Sequence, residues 1–301
     1  TPAEGKRIIA EFNKVYPFIK VNYWRGEGEE IASKQEMEFI AGRTSNDMAV
    51  GGEPVNYPRW RKMGMLEKFT DIIPEIKNID KKMYSKYGDW VMPGNNAQTP
   101  AYNTKLVSAA EAPKNWEDLI NPKWKGQQLG LPIDPKTWWT LALAEGGWGI
   151  EKAIDFATKL KAQNPIMCKG MVEGHTLLVA GEFKIYTNGY LRHVLLSQEK
   201  GAAVDWARVK PVSITGSSFT LQKKAPHPNA ARLFLEWQFS PQGLVVYEAI
   251  TGKGAAFPGS GTRLSKTLEG LTLVYRTEEI EMKAVEMGLD KKFSEILGMT
   301  Q

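Results

Sequence analysis

Residues 3–64 constrain the fold more than any other part of the chain. Ile8, Ile9, Phe12, Val15 and Tyr16 recur at the spacing of one helix face, and the stripe stops before Pro17. FIKVNYW (18–24) is rich in β-branched and aromatic residues and predicts a strand. After RGEGEE, where Gly26 and Gly28 loosen the backbone, a polar helix runs to about Ala41 and is closed by Gly42. NDMAVGG predicts a short buried strand ending in glycines, and PVNYPRWRKMG a short helix ending at Gly64. Elements that alternate in this way bury their apolar sides by laying helices on a sheet, so the fold class is α/β.

The alternation continues. VMPGNNAQTPAYNT (91–104) reads as a strand that passes between structural units. NPKWKGQQLGLP is a loop feeding a strand; Thr137–Glu145 and Ile150–Ala162 are helical, with Gly146-Gly147 between them. GHTLLVAGEFKIYT gives a short helix, a stop at Gly181 and a strand over Phe183–Thr187; NGYLRHVLLSQEKG is a helix ending near Gly201. Short strands follow around 202–206 and 216–222, then two helices, each opened by a proline in or near its first turn. The rest is mainly helical and polar, with no internal repeat and no low-complexity tract.

At 301 residues the chain has room for two lobes or one large domain. No apolar run approaches the roughly 20 residues needed to span a bilayer. The net charge of +5 is spread among interspersed acids and bases, and basic runs are pairs such as Lys81-Lys82, Lys223-Lys224 and Lys291-Lys292. With no finger, RNP or basic-helix pattern, nucleic acid is not an expected partner. The single cysteine, Cys168, excludes an intrachain disulfide and reads as a small apolar filler, which leaves the compartment open. TPAEGKRIIAEF carries no signal peptide, as a cleaved product would also lack one. There is no GxSxG, HExxH, P-loop or complete GxGxxG, and three histidines and one cysteine far apart form no triad or zinc spacing. The expectation is a protein that is not an enzyme and has no cofactor.

Three stretches carry a resemblance: AYNTKLVSAAEAPKNWEDLINPKWKGQQLGLP (101–132), AGEFKIYTNGYLRHVLLSQEKGAAVDW (180–206) and KKAPHPNAARLFLEWQFSPQG (223–243). In this order the chain resembles bacterial solute-binding proteins of ABC transporters, in the type II periplasmic-binding-protein branch that holds ferric-ion, thiamine, phosphonate and sugar-phosphate binders. The likeness covers nearly the whole chain and is specific for the superfamily rather than the ligand. It implies two α/β lobes, each a mixed sheet flanked by helices, with the ligand in a cleft between them. On that map 1–100 is the first part of lobe one, 101–214 is lobe two, and 215–301 returns to lobe one and ends in helices. AYNT is one crossover, and the region near Pro211–Ser217 the return. Members of the branch open with a strand before the first helix, and Thr1 falls inside the loop that follows it. A missing central strand would leave backbone groups unpaired.

Ligand sites in such folds gather where strands end and helices begin, because free N–H groups and the helix dipole attract anions and polar oxygens. In RGEGEE, Arg25 can clamp a carboxylate or phosphate, Gly26 lets a ligand approach the backbone, and Glu27 sits beside them. In GGEP, Gly52 and Glu53 follow a strand; the resemblance puts Glu53 close to a glutamate that ligates metal in ferric binders. The alternative is a helix-start acid favoured by the dipole. In DPKTWW, Thr137 can cap a helix or donate to ligand. Adjacent helix positions point about 100° apart, so of the two indoles one is expected in the core and the other, Trp138, in the cleft wall. Both in the core is the alternative. His175 stands at a helix start. Tyr190 lies where ferric binders carry consecutive tyrosines, but Leu191 breaks the pair, so Tyr190 suits hydrogen bonding or stacking on an organic ligand. Arg192 and His193 follow on the same helix and can turn toward ligand or solvent. His227 lies in a Pro-flanked turn and is structural.

The resulting expectation is a monomeric periplasmic or extracellular receptor, lipid-tethered or free, that closes on a small, anionic organic solute and delivers it to the permease of an ABC importer. The alternatives are a ferric-ion binder using Glu53, His175 and Tyr190, and a sensory ligand-binding domain of the same fold.

Overall fold

A computed structural model of the protein describes residues 2–26, 28–51 and 54–299. The chain opens with α1 (Pro2–Val15), α2 (Gly28–Ile40), β1 (Met48–Val50), α3 (Tyr57–Met63) and β2 (Leu66–Glu67). The long strand β3 (Val91–Asn103) is followed by β4 (Leu129–Pro132), α4 (Lys136–Leu143), α5 (Ile150–Lys161), β5 (Ile166–Cys168) and α6 (Met171–Ala180). Next come β6 (Ile185–Tyr190), α7 (Leu191–Glu199), β7 (Val204–Trp206) and a second long strand, β8 (Val212–Gln222). The chain closes with α8 (Pro228–Phe239), α9 (Pro241–Thr251), α10 (Arg263–Thr267), β9 (Leu273–Tyr275), α11 (Glu278–Glu286) and α12 (Leu289–Leu297).

These elements form two compact units, Thr1–Asn95 with Gly216–Glu269 and Asn96–Thr215 with Gly270–Gln301. The chain therefore passes from one unit to the other within β3, within β8, and between α10 and β9. The passage in β3 falls at Asn95/Asn96, several residues before AYNT.

In the first unit the C-terminal half of β8 pairs antiparallel with β1 (Met48 opposite Leu221) and β2 (Leu66 opposite Gln222). The helical stripe of α1 delivers Phe12, fully buried, onto Phe234 and Trp237 of α8 at ring-centroid distances of 4.9 and 5.6 Å. A second apolar cluster joins Ala32 of α2 to Tyr57, Trp60, Met65 and Trp90. Gly64 ends α3 in the left-handed conformation that a side chain would disfavour (φ 75°). The segment 18–24 departs from its expected strand: it is irregular and enters no ladder among the described residues. Asn13 Nδ2 donates to the Tyr16 and Ile19 carbonyls, and the Tyr23 ring packs on Gly5, while Phe18, Tyr23 and Trp24 remain exposed. β-propensity measures fit to a pleated, half-buried surface and yields no strand without a paired neighbour.

In the second unit β4 is parallel to both β5 and β6, β3 is antiparallel to β6 and β7, and β9 is parallel to the first residues of β8. Pro100 interrupts the β3–β6 register between Thr99 and Ala101, as a residue without an N–H must. The core holds Trp116, Trp138, Trp139, Leu141, Phe156 and Leu160. It also holds Ala284 of α11 and Leu289, Phe293 and Leu297 of α12, which corrects the return of all of 215–301 to the first lobe. Leu289, Phe293 and Leu297 recur every fourth residue, and that apolar stripe is buried against α4 and α5.

Candidate functional site

The parallel strands of the second unit decide where chemistry can gather. β4, β5 and β6 run in one direction, so their carboxyl ends share one edge. Each is followed by a helix that starts there: α4 after β4, α6 after β5 and α7 after β6. The N-caps of these helices, Pro135, Gly170 and Tyr190, provide no side-chain cap. Helices α9, α10 and α11, by contrast, are capped by the hydroxyls of Ser240, Thr262 and Thr277. At α4 Asp134 Oδ1 accepts from Lys136 N at 3.0 Å, so that start already carries a carboxylate. The starts of α6 and α7, without a side-chain cap, present N–H groups and the positive ends of the helix dipoles to a polar or anionic partner.

Thr137 stands in the first turn of α4, fully buried, and its Oγ1 accepts from Asn188 Nδ2 at 3.1 Å. Asn188 is also fully buried, and its Oδ1 accepts from Thr187 Oγ1 at 2.8 Å. The strand-to-helix junction of β6 is thereby tied to the start of α4. Asn188 was not among the candidates from sequence. Its only signal was the Asn-Gly pair preceding a helix, and the tie to Thr137 spans 51 positions.

Tyr190, Arg192 and His175 collect around His193. The His193 ring lies 5.5 Å from that of His175 and 5.6 Å from that of Tyr190, and the Arg192 guanidinium sits 5.6 Å from the Tyr190 ring. His175 Nε2 and the Ser197 hydroxyl share a hydrogen bond of 2.7 Å. Burial holds the His193 imidazole down at about 4; the adjacent Arg192 and His175 add to this, and a backbone hydrogen bond at Met171 opposes it. Burial also holds His175 below the ordinary histidine range. Both rings are therefore neutral at pH 7 and offer hydrogen bonds rather than charge, leaving Arg192 as the cation of the group. Behind them Tyr186 donates to the Gly170 carbonyl at 3.3 Å. Its phenol is raised well above the usual range by burial first, so it stays protonated.

Trp138 is not a ligand-facing wall. It is fully buried, edge-on to Trp116 at 5.8 Å and tilted on Phe156 at 5.6 Å. Trp139 is buried as well, and its Nε1 donates to Asp290 of α12 at 3.0 Å. The 100° argument presumes solvent on one side of α4. Here α5 and Trp116, together with α11 and α12, cover both indole directions.

Arg25 is exposed in the first unit, shortly before α2. Gly26 packs close to its neighbours: a Cβ there would come 2.6 Å from Glu30 Oε2 and 3.0 Å from the Trp24 ring. Glu27, Gly52 and Glu53 lie outside the described residues. Among the described residues no group of three or more His, Cys, Asp or Glu side chains could hold a metal ion.

Residues 7–267 match the family model for bacterial extracellular solute-binding proteins. A curated Haemophilus influenzae protein of uncharacterised function is 30% identical over 138 residues, 44% of this chain and 39% of that protein, so the chain matches about two fifths of that relative's length. Iron-bound HitA from Pseudomonas aeruginosa superposes with a TM-score of 0.71 at 21% identity, covering 97% of this chain and 96% of that one. The periplasmic binding protein AfuA from Actinobacillus pleuropneumoniae, with fructose-6-phosphate bound, gives 0.70 at 21% identity over 100% and 97%. The fold is that of the type II periplasmic binding proteins, and the chain belongs to the family of bacterial extracellular solute-binding proteins.

Proposed function

We propose that this protein captures a small anionic organic solute outside the cytoplasmic membrane and hands it to the permease of an ABC importer. The observation that carries the proposal is that the uncapped starts of α6 and α7 share one edge of the second unit with Thr137, Tyr190 and Arg192. Such an edge binds oxygens of a carboxylate or phosphate without making or breaking a bond, which fits a receptor rather than an enzyme. Fructose-6-phosphate in AfuA is a ligand of this chemical class. Capture works by closure: solute contacts made by both units favour the closed form, and the permease recognises that form. The protein acts as a monomer, and Arg25, Glu27, Gly52 and Glu53 supply the first unit's contacts. HitA, described as iron-bound, motivates a second reading in which Glu53, His175 and Tyr190 hold ferric ion.

Native mass spectrometry of freshly purified protein tests the proposal by weighing any co-purified molecule. Thermal-shift titration with fructose 6-phosphate and other small phosphates and carboxylates follows. A true ligand at 100 times its Kd stabilises the fold by about 2.7 kcal/mol. Tyr190→Phe and Asn188→Ala should each weaken that ligand. Failure of every anion to shift the melting temperature, together with a coloured, stabilised complex on ferric loading, would replace the organic reading with the ferric one.

A further inference from the structure

Two of the three passages between units are held, within the first unit, by one short segment. Helix α9 ends at Gly252 in the left-handed conformation (φ 69°), and the chain then runs past Asn95 and Ser217. Asn95 is the last residue before the passage in β3, and Ser217 is the second residue after the passage in β8. Asn95, only 1% exposed, donates its N–H to the Gly254 carbonyl at 2.8 Å, and its Oδ1 accepts from Ala256 N at 2.9 Å. Lys253 Nζ donates to Ser217 Oγ at 3.0 Å. The Lys253 N–H donates to Thr251 Oγ1 at 3.1 Å, and that hydroxyl donates to the Tyr247 carbonyl at 2.7 Å.

Glycines make the approach possible. A Cβ on Gly94 would come 2.3 Å from Tyr247 Cε1, and a Cβ on Gly216 would come 2.5 Å from the Gly94 carbonyl oxygen. At both passages, then, the residue beside the polar anchor has no side chain, and the two strands are pressed together under Tyr247.

We propose that residues 247–256 are the anchored side of a hinge, with Asn95 and Lys253 as positioning residues that set how freely the chain turns at 95/96 and 215/216. The inference rests on capture by closure. It adds that the resting balance between open and closed forms is fixed by residues that touch no solute. Weakening the anchor changes the apparent affinity through the fraction of competent protein, not through the site itself.

The full chain is compared with Lys253→Met, Lys253→Arg and Asn95→Ser by hydrogen–deuterium exchange. Lys253→Met removes the ammonium group that bonds Ser217, yet the anchor predicts roughly tenfold or faster exchange at both 94–97 and 215–218, with Lys253→Arg restoring protection. Faster exchange confined to 215–218, or none, overturns the inference. Inter-unit distances are then measured between spin labels at Lys62→Cys and Glu151→Cys, the native Cys168 being buried. Two populated distances in the parent whose ratio moves in Lys253→Met support the hinge anchor. Two distances whose ratio does not move overturn the anchor and leave closure standing. One unchanging distance in every protein, with every anion tested, overturns closure and the anchor with it.

Discussion

Truncating Trp138 to Ala distinguishes a core indole from a ligand wall. A large aromatic buries about 150–250 Å², which at about 25 cal/mol per Å² is worth about 4–6 kcal/mol. Against this stands the indole N–H: Trp138 Nε1 is buried with no partner among the described residues, and relieving such a group returns about 1–3 kcal/mol. The edge contact with Trp116 and the tilted contact with Phe156 are lost too. The net cost is about 3–4 kcal/mol, inside the usual range for Trp to Ala in a core. For a unit of about 150 residues that lowers the melting temperature by about 10 °C. Scanning calorimetry reads the shift. Trp138→Phe keeps an aromatic ring in the core and removes the unpaired N–H, so it should cost about 1–2 kcal/mol. Trp139→Phe should cost more than Trp138→Phe by about 1 kcal/mol, because it breaks the hydrogen bond to Asp290. A melting temperature within about 1 °C of the parent for Trp138→Ala, with solute retention lost, would refute the core assignment.

Acid should loosen the α6–α7 region before the rest of the second unit. His193 is held at about 4 in the fold, against about 6.5 unfolded, so its contribution is fully present above pH 6.5 and is lost as pH falls toward 4. The loss is bounded at about 3 kcal/mol, less what solvent screening of a partly buried ring removes; His193→Gln should flatten the stability profile from pH 6.5 to 4, and an unchanged profile would show that another group titrates. Burial pushes the Cys168 thiol up to about 11, so a thiol reagent at pH 8 should label the denatured chain promptly and the native chain at the rate of local opening. Labelling of the native protein at the free-thiol rate would contradict its burial.

What the sequence could reveal was whatever depends on local pattern. The α1 stripe, the glycine stops at Gly64 and Gly181, and helices α4 and α5 are consequences of side-chain periodicity and backbone freedom, and they stand in the structure close to where the pattern puts them. β5 is a strand the pattern did not show, and α6 begins at Met171, which puts His175 inside the helix and not at its start. What stayed hidden depends on partners distant in sequence. Whether the two indoles face solvent is decided by Trp116 and Phe156, which pack on Trp138, and by Asp290 of α12, more than a hundred residues downstream, which holds Trp139. The apolar run 18–24 looks like a strand by composition and forms no ladder among the described residues, since pairing belongs to two segments and not to one. Asn188 shows the same dependence from the other side. A buried asparagine costs stability unless its amide is satisfied, and here one carboxamide is satisfied by Thr187 beside it and by Thr137 far along the chain. That bond turns two separately legible helix starts into one edge. The types of residue fit to grip an oxygen can be read from the chain, but their assembly into a site depends on three parallel strands ending side by side.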